Sequence, residues 1–159
     1  MRLREYGDLV QGRLDAAGFA RLAPPAGALV HARRRQFKLT RAGINETYVT
    51  LWTDPLDGAD AAQQVAESAL SAARSAGSTI PLGYGRYAIV YPVLVAEQLS
   101  AEVASWLRGY APRGIGFIEY PVGVDLGRRE LVSLDRTPFF GSAYYRTTRR
   151  VMRDLFEPG

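Results

Sequence analysis

The sequence has no cysteine. That one absence removes disulfides, thiolate catalysis, structural zinc on sulfur and iron–sulfur ligation, and it fits a reducing compartment. Histidine occurs once, as His31, and lysine once, as Lys38. A lone histidine in an apolar strand reads as a hydrogen-bonded structural residue, and Lys38 is the one side chain available for a Schiff base. The longest apolar run, Tyr87 to Ala96, contains a proline and falls well short of the roughly 20 residues of a membrane span. No apolar stretch follows the charged start Met1-Arg2-Leu3-Arg4-Glu5, so no signal peptide and a cytoplasmic location are expected. No serine sits in a Gly-x-Ser-x-Gly elbow, and neither Gly83-Tyr84-Gly85 nor Gly114-Ile115-Gly116 extends into a dinucleotide or Walker signature. No cofactor is expected.

What remains is the composition of one globular domain spanning residues 1–159, with 47% apolar and 23% charged residues. A chain of this length buries roughly 70% of its unfolded surface without covalent help. The net charge of +4 rests almost wholly on arginine, 19 of the 20 basic residues. A GC-rich genome accounts for much of this bias, since alanine is also abundant. Arginine is nonetheless the residue suited to bidentate anion binding.

Leu3, Tyr6, Val10, Leu14 and Ala17 recur at helical spacing, with Gly18 as a stop and Pro24-Pro25 beyond it. Leu29 to Leu39 and Glu46 to Trp52 read as strands joined by the Thr40–Gly43 turn, an antiparallel hairpin. An alanine-rich helix spans Ala59 to Ala76 and ends at Gly77. Tyr87 to Val95 is a strand covered on both faces. Ser100 caps a helix to Gly109. Ile115 to Val124 is a fourth strand, Glu130 to Leu134 a fifth, and Ser142 starts a last helix reaching Phe156. The expectation is an α+β fold: one mixed sheet of about five strands with flanking helices, in the order α-β-β-α-β-α-β-β-α.

One phrase occurs twice, as Tyr91-Pro92-Val93-Leu94-Val95 and Tyr120-Pro121-Val122-Gly123-Val124. The segment between them is long enough for a right-handed crossover, so the two strands are expected to lie parallel and adjacent. Proline donates no hydrogen bond, so the twin prolines mark either bulges or a gap in the ladder beside a crevice. Just beyond these phrases, Glu97 and Asp125 form a carboxylate pair that could hold a metal. Each also has an ordinary explanation, in a helix start and a glycine turn.

Two basic patches stand out. Arg146, Arg149, Arg150 and Arg153 share one face of the last helix, with Tyr144, Thr148, Val151 and Leu155 opposite. Arg33, Arg34, Arg35 and Lys38 lie in the first hairpin strand. Strict alternation places Arg33 and Arg35 on the side of Leu29 and Phe37, which conflicts with burial unless the strand bulges. Gln36-Phe37-Lys38 resembles the PD-(D/E)xK nuclease family over three residues only. Gln36 replaces that motif's acid and no preceding strand carries its aspartate, which argues against a nuclease of that type. Phe139, Phe140, Tyr144 and Tyr145 form an aromatic run suited to a contact surface. The leading expectation is a non-enzymatic binding or adaptor protein that contacts a protein partner or a second copy of itself. A nucleic-acid-binding module using the two arginine patches is the alternative. A metal-dependent enzyme built on Glu97, Glu119 or Asp125 is the third reading.

Overall fold

A computed structural model describes residues 1–38, 43–53, 58–77, 85–111, 117–135 and 142–159. Its elements in chain order are α1 (Leu3–Ala16), β1 (Ala20–Arg21), β2 (Ala28–Lys38), β3 (Gly43–Trp52), α2 (Ala59–Ala76), β4 (Arg86–Ala96), α3 (Ala101–Gly109), β5 (Phe117–Glu119), β6 (Val122–Asp125), β7 (Glu130–Val132) and α4 (Ser142–Phe156). The α+β class and the mixed sheet match expectation, but the described residues form seven strands rather than five. Two strands account for the difference. β1 is a two-residue edge paired with β2, too short to carry periodicity. The expected strand from Ile115 to Val124 is divided at Tyr120-Pro121 into β5 and β6. No helix among the described residues is long and apolar enough to cross a membrane.

Across the sheet the order is β1-β2-β3-β4-β6-β7, with β5 also paired to β4. β3, β4, β5 and β6 run parallel, while β1–β2, β2–β3 and β6–β7 pair antiparallel. Alternation along β4 sorts its side chains between two cores. Ile89, Tyr91, Val93 and Val95 pack with Tyr6, Val10 and Leu14 of α1 and Met152, Leu155 and Phe156 of α4. Ala88, Val90 and Leu94 face the other way, toward Ala62, Ala69 and Ala73 of α2 and Val103 and Leu107 of α3. Alanine at those positions lets α2 lie close to the sheet. The helices therefore form a layer on each face, α1 with α4 and α2 with α3.

Local chemistry sets the helix ends. Glu5 accepts the Arg2 amide at 2.9 Å to start α1, and Gly18 takes φ +77° just past its end. The Ser100 hydroxyl accepts the Val103 amide at 3.2 Å and caps α3.

The repeated phrase lies in register. Val90 pairs with Glu119 and Val93 with Val122, the same 29-residue offset on both sides of the prolines, so the pairing carries no bulge there. The Tyr120 amide donates to the Val90 carbonyl at 2.8 Å and the Leu126 amide to the Ala96 carbonyl at 3.0 Å. Even-numbered β4 residues thus direct their backbone groups toward β5 and β6. Pro92 belongs to that set, and its missing N–H faces the Tyr120 carbonyl. Pro121 has its nitrogen on the opposite side, beyond the end of β7. The interruption between β5 and β6 is therefore the work of Pro92. Both prolines are buried, so the gap lies within the sandwich rather than beside an open crevice. The tyrosines of the phrase hold α4 to the sheet. The Tyr91 hydroxyl donates to the Thr148 carbonyl at 3.2 Å, and its ring meets Tyr120 and Phe156 edge-on, with centroids 6.1 and 5.8 Å away.

Candidate functional site

The first basic patch is dispersed. A register shift at Leu29 resets the alternation of β2, which resolves the burial conflict and leaves Phe37 65% exposed. Arg33 donates to the Ala76 carbonyl at 2.7 Å and closes the end of α2. Arg34 points to the other face, where it donates to the Ala17 carbonyl at 3.2 Å and lies 4.7 Å over the Phe19 ring. Arg35 returns to the α2 face and binds Glu46. Each of the three arginines thus serves a different structural contact. The Lys38 side chain lies outside the described residues.

Glu46 is fully buried, and both its oxygens are taken. Oε1 accepts Arg35 Nε at 3.0 Å and Nη2 at 2.8 Å. Oε2 accepts Arg86 Nε at 2.8 Å and the Tyr48 hydroxyl at 3.1 Å, with Arg86 Nη2 at 2.6 Å. Burial alone would raise its pKa. The hydrogen bonds from Arg35 and Arg86, the Arg86 charge and the Tyr48 hydroxyl outweigh that, and the group is held below the ordinary glutamate value. His31 is buried with Nδ1 2.8 Å from the Thr50 hydroxyl, and loss of hydration lowers its pKa, so it is neutral near pH 7.

The parallel pairing brings the Glu97 and Asp125 segments together, but their side chains do different things. Asp125 is 1% exposed and serves the backbone: Oδ2 accepts the Leu99 amide at 3.1 Å and Oδ1 the Arg128 amide at 2.8 Å. Glu97 is exposed and contributes its backbone carbonyl, which accepts the Gly127 amide at 2.8 Å. Among the described residues, no three histidine or acidic side chains converge as a metal site would require. Glu119 is buried on the α2–α3 face, and its Oε2 accepts the Tyr110 hydroxyl at 2.5 Å.

The second basic patch faces a cavity. Among the described residues β7 is the last strand of the sheet, and one of its edges has no described strand beside it. The end of α3 overhangs that edge from one face and α4 from the other. Between them runs an open trench of about 550 Å³, floored by residues 129–135 and walled by Arg108 on one side and Arg149, Met152, Arg153, Glu157 and Pro158 on the other. Arg149 reaches down to the floor, with Nη2 3.2 and 3.3 Å from the Leu134 and Asp135 carbonyls and Nε 3.3 Å from the Tyr120 hydroxyl. Arg108 lies 3.8 Å from Glu130. Arg129 adopts φ 53° in the turn before β7, which turns the chain into the trench mouth. Arg129 and Arg153 have no ion-pair partner among the described residues.

Sequence spacing found the α4 stripe, with Arg146, Arg150 and Arg153 exposed and Thr148, Val151 and Leu155 on the packing side, and missed only the turn of Arg149. Arg149 turns inward, and Thr148, Met152, Leu155 and Phe156 form the buried side. Arg108 and Arg129 carry no local signal, since each reads as an ordinary end-of-helix or turn residue. Only the sheet order places them beside α4. The same order sets β2 near the opposite edge from β7, so the two basic patches are not one surface. Phe139 and Phe140 lie outside the described residues, as do the side chains of Tyr144 and Tyr145. No protein-family model matches the chain, and neither a curated protein nor a solved structure matches it.

Proposed function

We propose that this protein is a non-enzymatic binding module that seats an extended, acidic segment of a partner protein along the edge of β7. The observation that carries this reading is the trench. An edge strand offers backbone donors and acceptors to an added strand, and here two helix layers wall that edge so that only a narrow segment fits. The walls supply the specificity. Arg129 at the trench mouth and Arg153 on its α4 wall have no acidic partner among the described residues. Arg146 and Arg150, both exposed on α4, continue the positive field beyond the trench and would steer an acidic segment toward it.

The arginine stripe also supports a second reading, in which single-stranded nucleic acid lies along the same edge. The walled strand edge favours the peptide, because backbone hydrogen bonding to β7 has no counterpart in a phosphate chain.

The test is fluorescence anisotropy with a labelled peptide of about six residues alternating valine and glutamate. The controls are its valine–lysine counterpart and a labelled oligodeoxythymidine. The acidic peptide is expected to bind, to weaken with salt, and to bind at least about tenfold more weakly to Arg129→Glu/Arg153→Glu. Binding of the oligonucleotide without the peptide would transfer the site to the second reading. Binding of neither would remove both.

A further inference from the structure

We infer that the partner segment runs antiparallel to β7 in a fixed register, with acidic side chains toward α4 on the same residues whose backbone bonds to the strand edge. This rests on the reading above and adds the direction and pattern of the segment. Backbone geometry fixes which groups face the trench. The Leu126 amide donates to the Ala96 carbonyl at 3.0 Å, and Ala96 lies level with Asp125 in the parallel pairing. Even-numbered residues here therefore direct their backbone toward β4, and Gly123 and Asp125 direct theirs toward β7. Gly123 pairs with Val132 and Asp125 with Glu130. Leu131, between them, turns its N–H and C=O away from β6 and toward the trench that it lines. Alternation gives Ser133 the same aspect. The usable edge stops there. The Asp135 amide donates to the Arg108 carbonyl at 3.4 Å, and Arg149 holds the Leu134 and Asp135 carbonyls.

The same register sets the side-chain faces. Leu131 lies opposite Val124 and packs with the α1–α4 core, and the Ser133 hydroxyl lies 3.5 Å from that of Tyr120 in that core. Glu130 and Val132 face α3, where Arg108 lies 3.8 Å from Glu130 and Val132 packs with Val103 and Leu107. In an antiparallel pair, a residue opposite Leu131 exchanges hydrogen bonds with it and points its side chain to the same face. That face meets the α4 wall. There Arg149 is held by neutral oxygens and Arg153 is exposed, and Glu157 is the wall's one acid among the lining residues. The α3 wall offers Arg108, which already has Glu130 beside it. Acidic side chains therefore belong on the residues whose N–H groups donate to β7, with apolar residues between them. A parallel segment would reverse this link, because residues bonded to Leu131 would then point toward α3. Antiparallel pairing is also the stronger per residue, which matters along so short an edge.

Backbone N-methylation tests the link, because it deletes a hydrogen-bond donor and leaves side-chain charge unchanged. The probes are the labelled valine–glutamate peptide, a copy N-methylated on every glutamate and a copy N-methylated on every valine, read by anisotropy. Methylating every residue of one kind prevents escape by a slip along the edge. The glutamate-methylated copy is expected to bind at least about tenfold more weakly than the parent, and the valine-methylated copy within about threefold of it. The opposite pattern would mean a parallel segment. Equal retention would mean capture by charge without strand addition, and equal loss would mean that both edges of the segment are bonded. Each of these three overturns the inference and leaves the binding site standing. Failure of the unmethylated peptide to bind would remove the site and the inference together.

Discussion

Replacing Glu46 by glutamine asks how much a carboxylate contributes when it is buried between two arginines. The change is isosteric, keeps one acceptor oxygen and removes the charge. Arg35 is 46% exposed on its side chain and Arg86 only 6%. The two arginines therefore respond differently. Arg35 returns to water at little expense, and losing its pairing costs at most about 1 kcal/mol. Arg86 stays buried beside a neutral amide, and breaking a buried pair from one side costs about 3–5 kcal/mol. The predicted loss for Glu46→Gln at neutral pH lies near the lower end of that range, because the amide oxygen still accepts one bond. Urea unfolding measures it. The pH dependence separates electrostatics from packing. Glu46 has a folded pKa below its ordinary 4.5, so the unfolded chain takes up the proton first as pH falls. Its contribution is complete above about pH 4.5 and drains away as pH drops through the folded value. The gap between wild type and Glu46→Gln should therefore narrow on acidification below about pH 4.5. A loss under about 1 kcal/mol at neutral pH, or a gap that does not change with pH, would refute this account of the cluster.

Two further predictions concern the sheet. A Cβ at Gly123 would stand 2.4 Å from Leu107 Cδ1 and 2.8 Å from Leu99 Cδ1, so Gly123→Ala should destabilise by about 1–3 kcal/mol through overpacking of β6 against α3, read as a shifted urea midpoint. His31, with a folded pKa depressed by burial, should cost stability as pH falls below about 6.5, where the unfolded chain binds a proton the folded one refuses. Because it is the chain's one histidine, His31→Gln should flatten the stability profile between about pH 6.5 and 5, and an unchanged slope would show that the group is not shielded.

Patterns within one element were legible in the sequence, and relations between elements were not. The alanine spacing of α2 and the glycine after it set its limits at Ala59–Ala76, and the Ser100 cap and the parallel Tyr-Pro-Val strands were readable for the same local reason. β1 escaped because two residues show no period. The break between β5 and β6 was visible as a proline, but which proline causes it depends on which neighbour each nitrogen faces, and that follows only from the pairing. The arginines show the limit most directly. Arg33, Arg34 and Arg35 are consecutive, yet they attach to three different partners. Arg108, Arg129 and Arg153 are scattered along the chain and meet at one trench. Charge density along a sequence reports composition, whereas a charged site is a property of the topology.

The lapse opposite Pro92 affects one flank of β4 only, because on the other flank the pairing with β3 continues unbroken from Ile44 to Trp52. β4 therefore works as a spine with two separately hinged leaves. The short β5 leaf can peel from it by rupturing a few bonds, without drawing on the β6–β7 leaf beyond the prolines. Local opening of the three-residue β5 is therefore expected to cost less than opening of β6 with β7, read as faster exchange of the β5 amide protons with solvent.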